Sequence, residues 1–363
     1  MRARVSVHTL GAGRGPGGVA AVIEDAIDVG HSEYANDAGE CFWTLPWNHW
    51  AHGQVLPLRT WVHVQRQSNQ QSPWKTVGYH LVSDHDSTDE DTVYYGDDPL
   101  SLFRGSPTDL KTKYDTKPAS EIIETEAGRA ISQWPPSYTS QDPNSRLGFM
   151  TIGQIDATSE TLTTFSDYQS RLDFMVARVN ELRAGGPTRP TMLISRNPPF
   201  TFNFYSNLGV DRPEIPLTYG GLVNSFRLRG GYGALASEIR AVAQTLTGSS
   251  VLFSDQVGTT PALYGIIQKT AVYPVIANQI ALDKMTLNDA RQSSQLNRDL
   301  ALVIRSDALG PYDGYQIMDS FPVTIHRGKV DLDHAWYTLW GLEWIGHKDG
   351  SEQVSMVLLP KMT

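Results

Sequence analysis

Gly13-Arg14-Gly15-Pro16-Gly17-Gly18 fits the G-x-G-x-x-G pattern behind the apolar run Val5 to Leu10, and Asp37 follows about twenty residues on. In a dinucleotide site such glycines let the backbone approach a pyrophosphate at a helix N-terminus, and the acid takes a ribose hydroxyl. Here Val19 to Val29 shows no apolar helical face before Gly30, so a glycine-rich surface loop is the better reading. Asp84-His85-Asp86-Ser87-Thr88-Asp89-Glu90-Asp91 is dense in oxygen ligands for Ca²⁺. Asp89 stands where an EF-hand loop needs glycine and Tyr95 where it needs glutamate, so a solvated hairpin tip is expected. His49 and His52 have the spacing of a helical zinc pair, but Pro46 and Gly53 favour a loop and no third ligand lies near.

Glu121 with Glu124 and Glu126, and Asp331 with Asp333, are carboxylates of the kind that do acid and base work on a glycosidic bond. Nothing in the sequence sets them across a cleft, and a solvated surface is the ordinary place for them in an acidic chain. A G-x-S-x-G elbow, a P-loop and an H-E-x-x-H pair are all absent. No catalytic, cofactor-binding or metal-ligating residue is assigned, and the expectation is a protein that is not an enzyme. The aromatic load is more suggestive: Phe42, Trp43, Trp47, Trp50, Trp61 and Trp74 early in the chain, then Trp336, Trp340 and Trp344 near its end. Tryptophan serves cores, interfaces and sugar platforms alike. Trp47, Trp50, His52, Trp336, Trp340 and Trp344 are the candidate interface residues.

The elements that must carry these residues are mostly strands. Trp336 to Trp344 and Glu352 to Leu359 read as a hairpin turning at Asp349-Gly350, because Asp-Gly supplies the positive φ such a turn needs. Trp336, Thr338, Trp340, Leu342 and Trp344 fall on one face, and Tyr337, Leu339, Glu343 and Ile345 on the other, so the strand is apolar on nearly both sides and should be covered twice. Alternation predicts strands over 59–65, 76–82 and 92–95, and Asp98-Pro99 opens a helical turn. A helix is predicted over 120–132, closed by Pro135-Pro136. A second starts at the capping pair Ser166 and Gln169 and ends at Gly185-Gly186-Pro187. Strands follow over 191–195, 200–205, 222–229 and 249–254, with helices expected over 234–246 and 287–304 and strands again over 312–325.

At 363 residues the chain suggests about two or three domains. We divide it into a β-barrel-like unit over 1–110, a helical connector with an α+β insertion over 111–305, and closing β strands over 306–363. The fold class is therefore α+β and β-rich. The formal net charge is −9 with no basic run, which argues against a nucleic-acid surface. Cys41 is the single cysteine, so no internal disulfide framework exists. No signal-like apolar segment follows the N-terminus and no stretch is apolar enough to span a membrane, so no membrane insertion is expected.

Ala26 to Pro46 followed by Leu56-Pro57-Leu58-Arg59-Thr60, the step Tyr95-Gly96-Asp97-Asp98-Pro99-Leu100, the run Leu217 to Gly230, and Asp319 to Ile325 with Trp336 to Leu359 stand in an order that resembles the tail hub proteins of long-tailed bacteriophages. That resemblance implies two tail-tube-like antiparallel β-barrel or sandwich domains with an α+β insertion. It also implies a homotrimer joining the sixfold tail tube to the threefold tail tip. The implied partners are further copies of the chain, a distal tail or tail-tube protein, the tape measure protein and other tail-tip proteins, with DNA only as transient lumen cargo. The implied place is the virion tail tip, after assembly in the host cytoplasm. The alternative is a glycan-binding or cell-wall hydrolase module at the tail tip, resting on the tryptophans and carboxylates. The segment Gly11 to Gly18 and the loop Phe42 to Trp50 match nothing in the resemblance.

Overall fold

The computed structural model describes residues 2–11, 15–109, 112–133, 149–165, 169–184, 188–231, 236–245, 250–257, 267–276, 279–293 and 297–361. The chain begins with β1 (Arg2–Leu10), β2 (Pro16–Ile23), β3 (Asp28–Tyr34), β4 (Glu40–Pro46), β5 (Thr60–Gln67), β6 (Lys75–Ser87) and β7 (Asp91–Asp97). The helical turn α1 (Ser101–Arg104) leads to β8 (Lys113–Pro118), α2 (Ala119–Gln133), β9 (Met150–Ile155), β10 (Thr161–Phe165), α3 (Arg171–Ala184), β11 (Thr191–Ile194) and β12 (Phe200–Tyr205). Then come β13 (Leu217–Thr218), β14 (Val223–Gly231), β15 (Glu238–Thr245), β16 (Val251–Val257), β17 (Gln268–Ile276), α4 (Gln279–Ser293), β18 (Asn297–Ile304), β19 (Ser320–Arg327), β20 (Val330–His347) and β21 (Glu352–Pro360).

One 13-stranded sheet organises the protein, in the order β14-β18-β21-β20-β3-β4-β7-β6-β5-β1-β2, with β19 on β20 and β13 on β19. The early strands meet the late ones where β3 pairs antiparallel with β20, Trp344 opposite His31. The chain is thus α+β and β-rich, as expected. Apolar side chains on the inner faces, among them Val5, Val62, Val64, Leu300, Phe321, Leu342 and Met356, form one continuous core under this sheet. β5 is covered on both sides: Val62 and Val64 face that core, while Trp61 faces a second one formed with α2, α3, β9 and β12. Trp61 stacks there on Phe200 at 5.6 Å and meets Phe149 edge-on at 5.4 Å. The insertion is therefore bolted to the early strands by an aromatic cluster.

Several predicted elements are placed differently. Residues 238–245 form β15, a strand between β16 and β17, and not the helix expected over 234–246, whose ends lie outside the described residues. The alanines suit a helix, but Ile239, Ala241 and Ala243 alternate with the less buried Arg240, Val242 and Gln244 and bury one face against α4; tertiary pairing overrides propensity. The helix expected over 287–304 divides into α4, which ends at Ser293, and β18, whose Leu300, Leu302 and Ile304 point into the main core. Residues 312–319 are not strand, and β19 begins only at Ser320. Pro135-Pro136, Ser166 and Gly185-Gly186-Pro187 lie outside the described residues, as do Gly13 and Arg14.

The terminal hairpin forms, with a loop Lys348-Asp349-Gly350 between His347 and Ser351. Gly350 takes φ +84°, the left-handed conformation that a three-residue hairpin loop assigns to glycine. The single-face reading of the tryptophans does not survive. A bulge between Leu339 and Gly341 inserts Trp340 as an extra residue, so Tyr337 and Leu339 face the core before it, and Leu342 and Trp344 after it. Trp336 and Trp340 therefore do not share the face of Trp344.

Candidate assembly interface

The loop between β4 and β5 holds the first group of candidate residues. His49 caps the short 3-10 helix Trp50–Gln54, its Nδ1 accepting from the Ala51 N–H at 3.2 Å, while Nε2 meets Asp25 at 3.1 Å. His52 Nε2 donates to the Pro46 carbonyl at 2.8 Å, which leaves Nδ1 to accept from the Tyr94 hydroxyl at 2.8 Å. Both imidazoles are thus spent on fixing the loop. Held on it, Trp47 and Trp50 are 65% and 62% exposed, and Leu56 and Leu58 are exposed with them. A tied loop that raises four apolar side chains into solvent is out of the ordinary, because single exposed apolar groups are common and several on one loop are not.

The C-terminal tryptophans behave differently. Trp344 is 0% exposed, and its Nε1 donates to Glu352 at 2.8 Å. Glu352 in turn takes two bonds of 2.8 Å from the buried Arg66 guanidinium on β5, closing a bidentate pair between the first and last thirds of the chain. Trp344 has no surface to offer a neighbour. Trp336 and Trp340 are half-buried, under Lys361 at 4.9 Å and Arg183 at 4.8 Å.

The carboxylates do not converge. Glu126 is fully buried, bound to Arg171 at 2.9 Å, to Arg129 at 2.8 Å and to the Tyr114 hydroxyl, whereas Glu121 and Glu124 lie on the outer face of α2. Asp331 and Asp333 are exposed partners of His326 and His334. Asp84 to Asp91 forms the exposed end of hairpin β6–β7, where the Thr88 hydroxyl donates to Asp91 at 3.0 Å. On either side of residues 12–14, which lie outside the described residues, the Gly11 N–H reaches the Gly15 carbonyl at 2.8 Å, and Pro16 to Ile23 is an antiparallel strand where a nucleotide site needs a helix.

Sequence reasoning missed a buried polar joint where the early strands, the insertion and the late segment meet. His31 on β3 and His80 on β6 are buried and bond Nδ1 to Nε2 at 2.9 Å. His31 Nε2 lies 3.1 Å from the Tyr312 hydroxyl, which donates to Glu33 at 2.6 Å. Arg196, just past β11, grips Glu33 at 3.0 Å and lies over the Tyr312 ring at 3.5 Å. Gly78 makes room for the two imidazoles, since a Cβ there would stand 2.8 Å from His31 and 2.9 Å from His80. A cavity of about 40 Å³ adjoins the joint. Burial, with the Arg196 charge second, lowers the His31 pKa to about 3, and burial followed by the His31 charge lowers that of His80 as well. Burial also pushes the Asp98 carboxyl in the same cavity up to about 7, against three backbone N–H donors. No signal marks this joint in the sequence, because its members lie up to 281 positions apart.

No protein-family profile matches the sequence, and no curated protein matches it. Solved structures do. The 43 kDa tail protein of prophage MuSo2 from Shewanella oneidensis superposes with a TM-score of 0.62 at 10% identity, covering 99% of this chain and 98% of that one. A tail protein from Neisseria meningitidis gives 0.60 at 11% identity, covering 99% and 97%. Prophage tail protein gp18 from Listeria monocytogenes gives 0.54 at 8% identity, covering 98% and 94%. From end to end, this chain has the fold of the phage tail proteins.

Proposed function

We propose that the protein is a structural tail hub: a homotrimer that joins the sixfold tail tube to the threefold tail tip and carries out no chemistry. The observation that carries this reading is the end-to-end likeness to tail proteins, which leaves nearly no part of either chain unmatched. In a trimer, the early and late β units of each chain would present six similar β units to a sixfold tube. The exposed loop of Trp47, Trp50, Leu56 and Leu58, with His52 fixing its shape, is the contact we assign to a neighbouring subunit or tail protein. Trp336 and Trp340 contribute at most their exposed edges. A distal tail or tail-tube protein, the tape measure protein and other tail-tip proteins are the partners, and DNA passes through the lumen without being held, in keeping with the net charge of −9. Its place is the virion tail, after assembly in the host cytoplasm. Among the described residues no helix is long and apolar enough to cross a membrane.

The absolute mass of the purified protein in solution, measured by light scattering, tests the reading. Three times the chain mass at micromolar concentration supports the hub, and a strict monomer overturns it. Trp47 and Trp50 are exposed aromatic side chains on one loop, the one observation that favours a glycan-binding or cell-wall module at the tail tip. Retention on peptidoglycan or host polysaccharide that is lost in Trp47→Ala and Trp50→Ala would favour that second reading.

A further inference from the structure

The directions of the hydrogen bonds in the buried joint are determined by one end of the chain. A carboxylate only accepts, so the Tyr312 hydroxyl donates to Glu33, and its oxygen accepts from His31 Nε2–H. His31 therefore carries its proton on Nε2 and accepts at Nδ1 from His80 Nε2–H. That leaves His80 Nδ1, fully buried and without a hydrogen-bond partner among the described residues, as the place for the next proton. A proton there creates a buried cation whose new N–H has no acceptor, one of the costliest arrangements in a protein interior.

We propose that the His31–His80 pair is an acid latch, in which proton uptake releases the Tyr312 segment and the Arg196 arm from β3 and β6 while the 13-stranded sheet stays paired. The groups around the pair do not compensate the charge. Glu33 and Tyr34 face it from β3. Glu33 is already committed to Arg196 and Tyr312, and Tyr34 donates to Glu343 at 2.6 Å. Tyr79 beside His80 is neutral, and Cys41 on β4 is a buried thiol. Asp37 on the cavity rim binds Arg104 at 2.5 Å. Asp98 is the remaining carboxyl, and its raised pKa means that it takes a proton before the histidines do. Arg196 adds a like charge. Opening restores both histidines to water, where their ordinary pKa is 6.5.

The sheet is held elsewhere, by its backbone ladders and the Arg66–Glu352 pair, so local release need not melt it. Because the closed pair binds its proton far more weakly than the open one, closure is complete above about pH 6.5 and is lost as pH falls toward 3. Each proton taken up on opening makes the opening equilibrium about tenfold more favourable per pH unit. This inference does not depend on the hub reading.

Hydrogen exchange by mass spectrometry on the full chain, corrected for intrinsic rates, tests it at about pH 7.5 and about pH 4.5. Protection over 310–316 and 193–200 should fall at least about tenfold at the lower pH, while 339–345 and 354–358 keep theirs. His80→Gln removes the ring that takes the proton while its side-chain amide can still donate to His31 Nδ1, so it should hold the joint closed at the lower pH; His80→Asn serves the same end if the first variant does not fold. Unchanged wild-type protection, loss in all strands together, or opening of either folded variant at the wild-type pH would each overturn the latch.

Discussion

Trp344 and the pair Trp47 and Trp50 show one residue type put to opposite uses. Trp344 sits on the longest strand, 0% exposed, with its one polar atom bonded to a glutamate that also neutralises an arginine. Trp47 and Trp50 stand about two-thirds exposed on a loop whose two histidines are engaged in keeping that loop in shape. The difference lies in what the surrounding polar groups do. Around Trp344 they satisfy the indole and so permit burial. Around the loop they satisfy the backbone and the histidines and leave the indoles outside. Burial makes a tryptophan a stabiliser, whereas a rigid exposed mount makes it available for association.

The comparison breaks most visibly at its buried end. Trp344→Ala should cost about 3–5 kcal/mol in chemical denaturation, because it opens a cavity in the main core and strips Glu352 of a donor. A loss under about 1 kcal/mol would mean that the site collapses around the gap. Glu352→Gln leaves the buried Arg66 guanidinium with only Asp313, at 4.0 Å, as counter-charge and should cost about 3 kcal/mol by the same measurement. A full ion pair's worth of loss in Glu352→Gln but not in Glu343→Gln would confirm that the β5 to β21 tie matters.

Trp340→Ala falls between the extremes. The bulge turns this residue out to lie half-buried under Arg183, so about 1–2 kcal/mol is expected, well below the cost at Trp344. At the exposed end, Trp47→Ala and Trp50→Ala should change monomer stability by no more than about 0.5 kcal/mol. If the loop is a subunit contact, the same substitutions should weaken self-association by about 2 kcal/mol, read from the concentration dependence of the mass. Neutral stability with unchanged association would remove the loop from the interface. A further test is pH at Asp98. Its folded pKa of about 7 exceeds the ordinary 3.8, so its contribution is fully present below about pH 3.8 and is lost as pH rises from there to about 7. Asp98→Asn should flatten the fall of the denaturation midpoint between about pH 4 and pH 7.

Much of the strand content was legible because period-two alternation is a local signal. β5, β6, β7, β12 and β14 lie where valines, aromatics and tyrosines alternate with polar residues. β15 was not legible, because a run with alanines at alternate places satisfies a helix as well as a strand, and only its position between β16 and β17 chooses. The bulge at Trp340 was hidden for a related reason. Nothing in Trp336 to Trp344 announces an extra residue; the need to pair with β21 on one edge and β3 on the other imposes it. The exposed loop was within reach of sequence reasoning, since Pro46 and Gly53 exclude a regular element around Trp47 and Trp50.

By itself, the sequence determined that this is a β-rich chain without a catalytic signature, that it lacks a disulfide framework, and that it ends in a hairpin at Asp349-Gly350, because composition, motif spacing and turn chemistry are properties of neighbouring residues. Tertiary structure alone decided which tryptophans are hidden and which are shown, that Glu352 reaches back to Arg66, and that His31 and His80 share a proton-bearing bond beside Tyr312 and Arg196. Those outcomes depend on sheet order, on a bulge and on the room left by Gly78, and burial and electrostatics act through distances in space that sequence separation does not encode.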